Sequence, residues 1–102
     1  MNDDVQRVRQ EIHILERQRI EAARVLGKLD RICNDLEAAV AAIETVDTDP
    51  EHREELLGSL SNSRRLVADE LRSTREWLSD VELDLKWAHD RLDHARRKRL
   101  GP

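Results

Sequence analysis

The chain has 102 residues, 38% hydrophobic and 39% charged, with two Trp and neither Phe nor Tyr. That length fits one domain, and so few bulky rings favour helices that bury a stripe over a globule with a round core. The net charge of −4 neither demands nor excludes a nucleic-acid partner. No apolar run approaches the ~20 residues that cross a bilayer, so a cytoplasmic protein without a membrane partner is expected.

A first helix is expected over about residues 3–46. Asn2 is its candidate cap, and Asp3 and Asp4 suit the positive end of the helix dipole. Along it apolar residues alternate at steps of three and four: Val5, Val8, Ile12, Leu15, then Ala22, Leu26, Leu29, Cys33, Leu36, Val40 and Ile43. Arg19 stands in the same series. Ala38, Ala39, Ala41 and Ala42 are strong helix formers. Cys33 has no second cysteine to pair with and reads as a small buried hydrophobe.

Residues 47–49 are the expected turn. Asp49-Pro50 is a helix-start signature, because Asp accepts a backbone N–H and Pro at the first helical position loses no bond. Thr48 with Glu51 offers a second start by the capping-box pattern. The surrounding Asp47, Asp49, Glu51, Glu54 and Glu55 make this end acidic.

A second helix is expected over about residues 50–99, stopped by Gly101-Pro102. Its series runs Leu57, Leu60, Arg64, Val67, Leu71, Thr74, Leu78, Val81, Leu85, Ala88, Leu92 and Ala95. Gly58-Ser59-Leu60-Ser61-Asn62-Ser63 is its weak stretch, since glycine and short polar residues cost helix stability. The apolar phase passes through that stretch unbroken, which favours one continuous helix. A three-helix bundle with a break near residues 58–63 is the runner-up.

Two heptad seams joined by a short turn fold back antiparallel. The expected architecture is therefore an all-α, coiled-coil-like helical hairpin over residues 1–102. With Ile12 and Leu57 at position a, the g positions share one side. A register in which paired residue numbers sum to about 102 sets Asp4 against Lys98 and Glu11 against Arg91. On that side Val25, Ile32, Ala39, Val46, Leu56 and Trp77 are left uncovered by a two-helix seam. Exposing large aliphatics forfeits ~1.5 kcal/mol or more apiece, and apolar strips on soluble proteins mark interaction sites. Dimerisation into a four-helix bundle, or docking of a helical partner protein, would cover them.

Leu83 and Trp87, four residues apart and off the seam, form a second candidate partner patch. Arg19 and Arg64 on the seam are expected to lay their stems along it and send their heads to solvent. The basic run Arg96, Arg97, Lys98 and Arg99 supplies candidate phosphate contacts, although cations at a helix C-terminus also complement the dipole.

No catalytic, cofactor-binding or metal pattern emerges. His89 and His94 are five apart, which takes them off a shared helical face, no Glu-x-x-His occurs, and one Cys makes structural zinc a poor fit. There is no phosphate loop and no nucleophile elbow. A non-enzyme is expected, with no cofactor. Fifteen arginines against three lysines suggest a GC-rich genome, bacterial or phage.

Length and hairpin shape are similar to the small helical-hairpin proteins exported by type VII secretion systems. Those carry Trp-x-Gly in the turn, whereas this turn is Thr45-Val46-Asp47-Thr48-Asp49-Pro50, and both Trp residues lie in the second helix. The acidic end, Asp47 and Asp49, resembles the tip of transcription factors that reach into the secondary channel of RNA polymerase. Those proteins add a docking domain, for which this sequence leaves no residues. The expected function is thus a protein–protein interaction module: adaptor, assembly component or inhibitor. The alternative is a small nucleic-acid-associated or transcription regulator using the basic end or the acidic tip.

Overall fold

The computed structural model describes residues 3–100, with side-chain surroundings for residues 3–98. Asn2 and Gly101-Pro102, proposed above as cap and stop, lie outside the described residues, as does the side chain of Arg99. Helix α1 spans Asp3–Thr45 and helix α2 spans Pro50–Leu100. The chain is an all-α helical hairpin, and no strand occurs among the described residues.

α2 runs unbroken through Gly58–Ser63, so the three-helix alternative does not form. Leu57 and Leu60 lie half-buried on either side of Gly58. Keeping these seam residues in phase outweighs a local propensity cost of about 1 kcal/mol for the glycine. No residue among those described adopts a positive φ, so neither helical glycine is required by the backbone.

The turn is built as its residues suggest. Asp49 caps α2: its Oδ1 accepts from the Glu51 N–H at 3.3 Å, and its carbonyl accepts from the Arg53 N–H at 2.9 Å. Of the two candidate starts, Asp49-Pro50 is therefore the one used. At the end of α1 the Thr45 hydroxyl donates to the Ala42 carbonyl at 3.0 Å. The Arg53 guanidinium Nη2 donates to the Val46 carbonyl, satisfying an orphan acceptor just past the helix end.

Contacts within the chain group into two compact units, one of residues up to Arg24 with those from Arg75 onward, the other of Val25–Thr74. In the first, Val5, Ile12, Val81, Leu85, Ala88 and Leu92 form a buried cluster, with Val8, Leu15 and Ala95 packed against it. Its small seam residues explain this closeness. Ala22 and Ala88 are completely buried, and a small side chain lets neighbouring large ones interlock over it. Arg91 Nη2 donates to Glu11 Oε1 at 2.6 Å, the ion pair expected from the register. Asp4 and Lys98 do not come within ion-pair distance of each other.

The 25–74 unit is packed less closely. Of its seam residues only Leu71 and Thr74 are buried. Leu26, Leu29, Cys33, Leu36, Val40 and Ile43 of α1, with Leu57, Leu60 and Val67 of α2, are half-buried. No alanine stands in this part of the seam, and Arg64 occupies one position with its side chain exposed. Arg19, in the other unit, is likewise exposed.

Candidate functional site

A side chain left in water on a two-helix hairpin is informative when it is large and apolar, because a seam of a and d positions cannot cover it. Nine such residues are exposed among those described: Ile14, Ile20, Ile32, Val46, Leu56, Leu66, Trp77, Leu83 and Trp87. Their heptad positions are not scattered. Ile32, Leu56 and Trp77 are at g, and Ile14, Leu66 and Trp87 are at c, the position next to g around the helix; Val46, expected at g, lies just past the end of α1. Only Leu83 at f and Ile20 at b fall elsewhere. The e positions carry no large apolar residue; they hold Arg9, Glu16, Ala23, Asp30, Glu37 and Glu44 on α1, and Glu54, Ser61, Ala68, Arg75, Glu82, His89 and Arg96 on α2. The g and c positions mix large apolar residues with charged ones, among them the paired Glu11 and Arg91.

Within the 25–74 unit, Val25, Ile32 and Ala39 recur every seventh residue along α1, Val46 follows just past its end, and Leu56 stands on α2. Val25 and Ala39 are half-buried; Ile32 is 44% exposed and Val46 50% exposed. Leu66, which the sequence reading passed over, is the most exposed large apolar residue at 64%. Its signal was available in its c position, one step round from the g line.

Trp77, the sixth residue of the expected interface, belongs to the other unit. There it borders a surface depression with Ile14, Arg17, Gln18 and Glu21 of α1. Ile14 was also missed; a single aliphatic two residues past Ile12 looks like noise until the coordinates set it beside a tryptophan. Trp87 borders a second depression with Asp90 and Arg91, so the Leu83–Trp87 patch is exposed as expected.

The polar candidates are solvated. Arg96, Arg97 and Lys98 are exposed. The exposed i,i+3 pairs Arg24–Glu21 and Arg72–Asp69, at 3.4 and 3.7 Å, are of the kind that adds little stability. Half-buried Cys33 sits by a depression lined by Glu37, Arg64, Arg65 and Ala68. Among the described residues, no three His, Cys, Asp or Glu side chains gather as a metal site would require. No helix among them is long and apolar enough to cross a membrane. Comparison of the chain with protein-family models, curated proteins and solved structures finds no match in any of the three.

Proposed function

We propose that this chain is a non-catalytic interaction module that binds a second copy of itself or a helical partner protein through its g/c side, as an adaptor, assembly component or inhibitor. One observation carries the reading: six of the nine large apolar residues exposed among those described occupy helical g or c positions. Isolated exposed aliphatics are ordinary on any protein. Their concentration at two neighbouring heptad positions, while no large apolar residue stands at e, is the pattern of a helix face suited to another helix. Trp77 and Trp87 are the residue type that most often anchors such contacts.

The test is an affinity capture with tagged chain as bait, offering untagged chain and lysate, repeated with Trp77→Glu and Ile20→Glu. Loss of the captured species with Trp77→Glu and retention with Ile20→Glu is expected, since Ile20 is exposed at b, away from the g and c positions. Equal capture by all three baits rules the reading out.

A nucleic-acid role rests on the exposed Arg96, Arg97 and Lys98. It requires oligonucleotide binding that weakens steeply with salt yet persists at physiological ionic strength. An electrophoretic shift that vanishes there disposes of it.

A further inference from the structure

No residue from 23 to 70 is buried, and every buried side chain among those described lies on the seam outside that stretch. Burial within the 25–74 unit is therefore confined to Leu71 and Thr74, next to its boundary. Midway along its seam, Cys33 and the exposed Arg64 border a depression with Glu37, Arg65 and Ala68, so water reaches the seam there.

Polar contacts do not make up the difference. The side-chain pairs Arg65–Asn62 and Arg72–Asp69 stay within α2, and the contact from Arg53 to the Val46 carbonyl only closes the turn. The ion pair that joins the two helices, Glu11–Arg91, belongs to the other unit.

Helices in proteins owe most of their stability to the packing of an apolar face. Once these two segments separate, Gly27, Gly58 and the short polar residues of 58–63 work against the helix. Loss of contact and loss of helix then go together. The other unit is not forced to follow. The opened segment is a loop of about fifty residues, and closure entropy grows only with the logarithm of loop length.

We propose that the 25–74 unit opens as a separate cooperative unit while the cluster of Val5, Ile12, Val81, Leu85, Ala88 and Leu92 stays packed. The opening bares Leu26, Leu29, Leu36, Val40 and Ile43, a stripe that the closed hairpin only half covers. It is a conformational device of the single chain and does not rest on the interaction-module reading.

Native-state hydrogen exchange on the full chain tests this, followed residue by residue by NMR at denaturant concentrations below the unfolding transition. Amides of 29–40 and 60–67 are expected to share one opening, with a common free energy and a common denaturant slope. Amides around Val81, Leu85 and Leu92 should exchange at least about tenfold more slowly, through global unfolding. Ile12→Val, a conservative loss from the buried cluster, should speed those slow amides roughly 2- to 12-fold. It should leave the 25–74 amides unchanged, because the cluster is intact in the open form. Gly58→Ala should slow the 25–74 amides roughly 2- to 5-fold.

A single opening shared by both units, with Ile12→Val speeding every amide alike, overturns the proposal, since the hairpin is then one cooperative body. Unrelated openings across 29–40 and 60–67, with no common slope, overturn it as well. Either result leaves capture of a partner through Trp77 untouched, so the two readings fail separately.

Discussion

The two units draw on the same heptad pattern and reach different packing. In the unit that joins the two ends of the chain, seven of twelve seam residues are buried; in the 25–74 unit, two of twelve are. The first has Ala22, Ala88 and Ala95 in its seam, whereas the second has none; each seam also carries one exposed arginine, Arg19 in the first and Arg64 in the second. A heptad repeat thus guarantees that two helices meet, but the sizes of the residues on the seam decide how completely they cover one another. The second unit also holds both helical glycines among the described residues, Gly27 and Gly58, the Gly58–Ser63 stretch and most of the expected interface. Exposed large apolar residues do not follow the packing: among those described, four lie in the second unit and five, both tryptophans included, in the first.

The sharpest way to break this comparison is to truncate one seam leucine in each unit. Leu85→Ala removes a buried cluster member and should cost about 2–4 kcal/mol in denaturant unfolding. Leu36→Ala, half-buried in the other unit, should cost about 1 kcal/mol at concentrations where the chain is a monomer. Equal losses at the two positions would contradict the difference in packing.

Next in size is the cap. Asp49→Ala removes the acceptor for the Glu51 N–H and should cost about 1 kcal/mol. Hydrogen exchange should register the loss at the start of α2, inside the looser unit, and leave the Val81–Leu92 region unaffected.

The glycines test the same unit in the opposite direction. A Cβ added at Gly27 or Gly58 meets no atom within 4 Å. Alanine at either position should therefore stabilise by about 0.5–1 kcal/mol, through a better helix and a less free unfolded chain. Thermal unfolding of the two single variants and the double variant checks this, and additivity is expected because the sites share no partner.

The smallest effect belongs to the Glu11–Arg91 pair. Its geometry is close, but both side chains are substantially exposed, so a double-mutant cycle with Glu11→Gln and Arg91→Gln should give about 0.2–1 kcal/mol, shrinking with added salt. A much larger coupling would mean that the well-packed unit relies on charge as much as on its apolar cluster.

Much of the candidate surface could be read in advance because heptad letters are geometric. Once the seam is assigned, Ile32, Val46, Leu56 and Trp77 must fall outside it, and they do. Ile14 and Leu66 were overlooked for a physical reason: position c is solvent-facing in an isolated pair, where a lone aliphatic carries no signal. Their meaning emerges when exposure is set beside heptad position and most of the exposed large apolar residues prove to stand at g or c.

By itself the amino-acid order determined the two helices, the turn at Asp49-Pro50, the continuity through Gly58 and the Glu11–Arg91 register. These follow from local capping and from a repeat that fixes phase over many turns. Only the tertiary structure decided where burial is complete and where it is partial. Coverage depends on how two surfaces interlock, on alanines under leucines in one unit and on a seam without alanine in the other, and that is a property of the pair of helices that neither helix's sequence holds alone.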